Sequence, residues 1–139
     1  MFNATCVIET ELKKAGFKCH IQDAGELSYV EAGFSGATVV FTIRFISVDN
    51  DNDVRIMTND FAKIISGKTD KILVLLNRLN REYRYAKFTV SDDEGIFIQY
   101  DVPSQIESSS LGAIALEIAI RFAKIIDDVY PMIMKEIWG

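Results

Sequence analysis

Apolar residues change their spacing several times along the chain, and each change marks an element. Val7, Ile8 and Leu12 recur at helical spacing, Asn3 or Thr5 stands where a cap belongs, and Gly16 closes a short first helix. From Phe17 the period falls to two. Residues 18–22 read as a short strand and Leu27–Glu31 as a clearer one, with Ala24-Gly25 as a turn and Gly33 and Gly36 marking the next. Thr38 to Val48 is dense in β-branched and aromatic residues. Val39, Phe41, Ile43 and Phe45 fall on one face and Val40, Thr42, Arg44 and Ile46 on the other, which predicts a long strand buried on one side. Asp49-Asn50-Asp51-Asn52 supplies turn chemistry, and Val54 to Ile65 reads as the returning antiparallel strand. Ser66-Gly67 breaks it. Thr69 or Asp70 can cap an amphipathic helix built on Ile72, Leu73, Leu76 and Leu79 that ends near Arg84. A hairpin follows, Tyr85–Val90 and Ile96–Tyr100 around Asp92-Asp93-Glu94-Gly95, with Pro103 stopping the second strand.

Ser108, Ser109 or Ser110 can cap the last helix, whose pattern is the most informative. At 100° per residue Glu117, Arg121, Lys124 and Asp128 share one narrow stripe. Ile114, Ile118, Phe122, Ile125, Ile126, Val129 and Ile133 cover most of the rest. One sheet face cannot cover so wide an arc, so either neighbouring helices cover it or a second chain does, in a homodimer or against a client. Pro131 is expected to kink or break this helix and let the tail through Trp138 pack separately.

The order helix, three to four strands, helix, two strands, helix predicts an α+β fold, an antiparallel sheet with helices packed on it. At 139 residues and 49% apolar composition the chain has material for one core, so 1–139 is read as a single domain. The net charge of −5 repels phosphate backbones and argues against nucleic acid. The segment Leu111–Met134 carries Glu117, Arg121, Lys124, Asp127 and Asp128, too many charges for a membrane span. The opening residues lack a basic and apolar leader pattern, and Cys6 and Cys19 are too few for a disulfide framework. Both observations predict a cytoplasmic protein with reduced thiols.

No catalytic constellation, cofactor motif or metal site emerges. Asp49-Asn50-Asp51-Asn52-Asp53 resembles the start of a calcium loop, with Asp60 at the twelfth position, but Val54 replaces the required glycine and the flanks read as strands. His20 is the single histidine, on a strand with no nucleophile motif nearby. Gly33-Phe34-Ser35-Gly36 lacks the lysine and helix of a phosphate loop, and Asp92, Asp93 and Glu94 crowd one turn. Arg78, Arg81, Arg84 and Lys87 form the one basic concentration. They complement a helix C-terminus, or hold an anionic ligand or acidic peptide.

The run Leu76-Asn77-Arg78-Leu79-Asn80-Arg81-Glu82-Tyr83-Arg84-Tyr85-Ala86-Lys87-Phe88, ahead of an Asp-rich hairpin and a long helix, resembles the YbjN family of bacterial sensory transduction regulators. That resemblance implies a fold similar to type III secretion chaperones, frequent dimers that hold a client peptide, and no catalytic residues to assign. Asn77 and Asn80 are its motif positions; capping, or hydrogen bonding between helix and sheet, explains them structurally. The expectation is a non-enzymatic, chaperone-like regulatory module, homodimeric, with a protein partner. Arg78, Arg81, Arg84, Lys87, Ile118, Phe122 and Ile125 are the candidate contact residues. The alternative is an anion sensor with a pocket between sheet and helices.

Overall fold

In the computed structural model, residues 2–48, 53–103 and 108–139 are described. Helix α1 (Asn3–Lys14) precedes strands β1 (Cys19–Asp23), β2 (Leu27–Ser35), β3 (Val40–Val48), β4 (Asp53–Thr58) and β5 (Ala62–Lys63). Helix α2 (Thr69–Glu82), strands β6 (Lys87–Val90) and β7 (Gly95–Pro103) and helix α3 (Ser108–Trp138) complete it. All pairings are antiparallel, and the sheet runs β1-β2-β3-β4-β7. Short β5 extends the β4 side of β7, and β6 lies along the opposite side.

Alternation along the strands sends one face inward. Phe34, Phe41, Ile43, Phe45, Ile56, Ile96 and Ile98 are buried there against Ile8 and Leu12 of α1 and Phe122, Ile126, Val129 and Ile133 of α3. The opposite face carries Tyr29, Arg44, Arg55 and Asp101 toward solvent, as a one-sided antiparallel sheet does. Helix α1 lies close along α3. A Cβ added to Gly112 comes within 3.1 Å of the Glu11 Cβ, so the crossing needs the missing side chain.

The structure bears out the α+β class, three helices and the β3–β4 pairing, and it corrects several boundaries. Strand β2 continues through Gly33 to Ser35, and the turn comes at Gly36, whose N–H donates to the Val39 carbonyl at 2.9 Å. The return predicted over Val54–Ile65 is two strands. The Asn59 Oδ1 accepts the Thr42 N–H at 2.9 Å, which closes the β3–β4 ladder. Phe61 then donates its N–H to Ile96 at 2.9 Å and transfers the chain onto β7.

Capping also differs from expectation. Phe2 and Lys68 occupy the N-caps of α1 and α2 with no side-chain cap bond. Thr5 is buried instead, its hydroxyl 2.7 Å from Ser28 Oγ and 3.3 Å from Ser47 Oγ, which satisfies three hydroxyls in the core. Helix α2 stops at Glu82, before Arg84. The side chains of Ser108 and Ser109 and the turn at Asp49–Asn52 lie outside the described residues. Pro131 stands inside an unbroken α3, and the tail does not pack separately. Ile133 and Ile137 beyond it are 0% exposed in the same core, and their burial outweighs the hydrogen bond that proline removes.

Candidate functional site

The basic residues are spread across three elements. Arg78 on α2 is committed locally, its Nε 3.4 Å from Glu82 Oε1 and its guanidinium 3.6 Å from the Met132 sulfur. Arg81 leaves the same helix, Arg84 sits in the turn after it, and Lys87 opens β6; all three are exposed. Asn80, between them, joins helix to sheet. Its Oδ1 accepts the Phe88 N–H at 2.6 Å and its Nδ2 donates to the Phe88 carbonyl at 3.2 Å. The side-chain amide thus imitates a neighbouring strand and closes the outer edge of β6 at that residue. The bond between helix and sheet expected at the motif is Asn80's. Asn77 is exposed and makes no hydrogen bond among the described residues. Burial pushes the Tyr83 hydroxyl above its ordinary value, with the Asp128 and Glu82 carboxylates adding to it.

The lengths of the last two strands do not match. Strand β6 pairs with β7 from Val90↔Ile96 to Lys87↔Gln99, while β4 follows β7 on to Asp53↔Pro103. Tyr100 to Pro103 therefore has a strand on one side and none on the other among the described residues. The chain cannot continue there because Tyr85, at φ 59°, turns it back toward α2. Left-handed backbone is uncommon for an aromatic residue and costs on the order of 1 kcal/mol or more.

Beside this unpaired edge an apolar cavity of about 400 Å³ opens toward α3, lined by Tyr85, Tyr100, Val102, Pro103, Ile114 and Ile118. A second cavity of about 470 Å³ straddles the edge, bordered by Asn80, Lys87, Gln99 and Asp101. The Tyr85 and Tyr100 rings, edge to face at 5.4 Å, border both. From α3, the Arg121 guanidinium lies 5.3 Å from the Tyr85 ring and is fixed by Glu117 at 3.1 Å. Asp101, on the far side, holds Arg55 at 2.9 Å. The arrangement offers main-chain groups, an apolar floor and a charged rim, which suits binding.

Of the apolar candidates, only Ile118 borders this groove. Ile118 forms part of its floor at 5% exposure, whereas Phe122 at 0% and Ile125 at 8% are core residues that line neither cavity. Helices α1 and α2 pack beside α3 and cover most of the arc that the sheet cannot, leaving Ile114 40% exposed. The groove residues Tyr85, Tyr100 and Ile114 escape sequence reasoning, which gives the last two strands similar lengths. The unspent run Asp101-Val102-Pro103 is the signal that marks the mismatch.

His20 is exposed on β1. Cys6 and Cys19 are free thiols, and burial pushes the Cys19 thiol up, with Glu9 adding to it. Among the described residues no group of three or more His, Cys, Asp or Glu could hold a metal; Asp49 to Asn52 of the calcium-like run lie outside them. A mixed cavity of about 560 Å³ on the outer sheet face contains Arg44, which is hydrogen-bonded to Glu31 at 2.6 Å and stacked 4.6 Å over Tyr29. Among the described residues no helix is long and apolar enough to cross a membrane.

Comparison with known proteins agrees with this architecture. The type III secretion chaperone SycH of Yersinia pestis, solved in complex with a stable fragment of YscM2, superposes with a TM-score of 0.53 at 11% identity. The match covers 88% of this chain and 98% of that one and establishes a shared fold. No curated protein matches the chain at a significant level. A family model described as "Putative bacterial sensory transduction regulator" matches residues 6–131. With the match spanning nearly all of the chain, this protein belongs to the YbjN family.

Proposed function

We infer that this chain is a non-enzymatic regulatory module that works by binding a protein partner at the groove between β7 and α3. The observation that carries the reading is the unpaired edge from Tyr100 to Pro103 opening onto an apolar cavity. Unpaired main-chain groups beside apolar surface are a template for a polypeptide. The family's regulatory description and the shared fold with a chaperone solved on a protein fragment support it. A chaperone-like role in the cytoplasm is the setting we propose. A homodimer is the competing occupant of the same surface.

A photo-crosslinking residue placed at Ile114, which is 40% exposed at the groove, tests this in the native host. Val40, 73% exposed on β3, is the control position. A discrete adduct with another protein at 114 and none at 40 supports the reading. Equal labelling at both, or none at either, sinks it, and an adduct with a second copy of the chain assigns the surface to self-association.

A further inference from the structure

Resting on that reading, we propose that the occupant is an extended polypeptide segment with alternating apolar and acidic residues, lying beside β7 in line with β6. The main chain decides its conformation. Along an exposed strand edge the N–H and C=O groups are satisfied by another strand, whereas a helix or a small apolar molecule leaves them unpaired. A segment continuing the line of β6 beyond Lys87 runs past Tyr100, Asp101, Val102 and Pro103, about 13 Å at roughly 3.3 Å per residue.

The two faces of that line decide its side chains. Tyr100 and Val102 share the inward side of β7 with buried Ile96 and Ile98, so alternate residues of the guest enter the apolar cavity against Ile114 and Ile118. The intervening residues meet the rim. There Asp101 is already paired with Arg55 at 2.9 Å, and on the cavity side Glu117 is paired with Arg121 at 3.1 Å. Lys87, which borders the edge, and Arg84, which precedes Tyr85, have no ion pair among the described residues. A guest carrying Asp or Glu at those positions finds complementary charge in spite of the chain's net −5.

A display library of random peptides about 12 residues long, enough to span the edge with flanks, is panned on the full chain. Three variants at exposed positions, Ile114→Glu, Arg84→Glu and Lys87→Glu, are checked for unchanged circular dichroism before use. The expected winners alternate apolar and acidic residues, lose binding to Ile114→Glu, and weaken about tenfold on each charge reversal. A synthetic winner with alternate backbone nitrogens methylated is expected to lose binding, and the intact peptide to shift the amide resonances of Tyr100 to Val102. Winners that need Ile114 but are helical or basic, or that tolerate N-methylation, overturn the strand proposal while the protein-binding reading stands. Winners indifferent to Ile114, together with no adduct at position 114, overturn both. A dimer in sedimentation that Ile114→Glu dissolves makes a second copy the occupant and also overturns the proposal.

Discussion

Replacing Asn80 by alanine removes the two hydrogen bonds that fasten β6 to α2 and leaves the Phe88 N–H and carbonyl without their partners. Each such bond contributes about 1 kcal/mol net, so the loss is about 2 kcal/mol. Alanine is the better helix former by about 0.6 kcal/mol at an exposed α2 position, which offsets part of it. The expected destabilisation is therefore about 1.5 kcal/mol, with the upper range reached if Phe88, itself 4% exposed, keeps its main chain dry. For 139 residues that corresponds to a fall of about 5 °C in Tm. Urea unfolding followed by circular dichroism gives the free energy, and scanning calorimetry gives Tm. Asn77→Ala is the internal control, since Asn77 shares the helix and the motif but makes no hydrogen bond among the described residues; its expected change lies within about 0.5 kcal/mol. If the two substitutions cost the same, or Asn80→Ala costs less than about 0.5 kcal/mol, Asn80 does not act as the edge cap described here.

Phe122→Ala is expected to cost about 3 to 5 kcal/mol in urea unfolding, because the ring is fully buried beneath the sheet; a loss below about 1 kcal/mol contradicts a core position. Gly95→Ala is expected to destabilise through collision of its Cβ with the Asp60 side chain, whose own Cβ would lie 2.6 Å away, so Asp60→Gly and not Asp60→Ala is expected to relieve most of the penalty in a double-mutant cycle; additive effects with Asp60→Gly refute the contact. Burial raises the Cys19 thiol above its ordinary value, so it stays protonated longer in the folded than in the unfolded chain. The stability this contributes is complete below the ordinary thiol value and is lost as pH rises through the folded value. At pH 8 the thiol is expected to alkylate more slowly than free cysteine, with the slow phase missing in Cys19→Ser; reaction at the free rate removes the argument.

What the sequence disclosed was whatever rests on periodicity. Phe41, Ile43 and Phe45 alternate strictly enough to fix the buried face of β3, and Ile72, Leu76 and Leu79 fix that of α2. The breadth of the apolar arc on α3 correctly demanded more cover than a sheet provides. Which body supplies the cover depends on a long-range approach, α1 at Gly112, that no local spacing encodes. Thr5 reads as a cap from its neighbours and proves to be a core hydroxyl because Ser28 and Ser47 arrive from distant strands. Pro131 reads as a break because local sterics say so, and the buried Ile133 and Ile137 override them. The candidate site divides in the same way. Lys87 and Ile118 border the groove, while Arg78 is paired with Glu82 and Phe122 and Ile125 belong to the core.

The treatment of the sheet's edges gives the groove its meaning. An unpaired strand edge invites association, and sheets commonly blunt it with polar residues, proline or a covering group. Strand β1 exposes His20, Gln22 and Asp23 along its length, and β6 is closed at Phe88 by the Asn80 amide. From Tyr100 to Pro103 the device is incomplete. Pro103 withholds one donor at the far end, yet Tyr100 and Val102 stand over an apolar cavity walled by Ile114 and Ile118. The turn that keeps the chain from covering this stretch requires Tyr85 to hold a left-handed backbone, stacked under Arg121 and against Tyr100. A glycine there would adopt φ 59° without the strain, and would also remove the ring that borders both cavities. The left-handed Tyr85 and the edge left unpaired among the described residues meet at one place, and on that meeting the proposed binding groove rests.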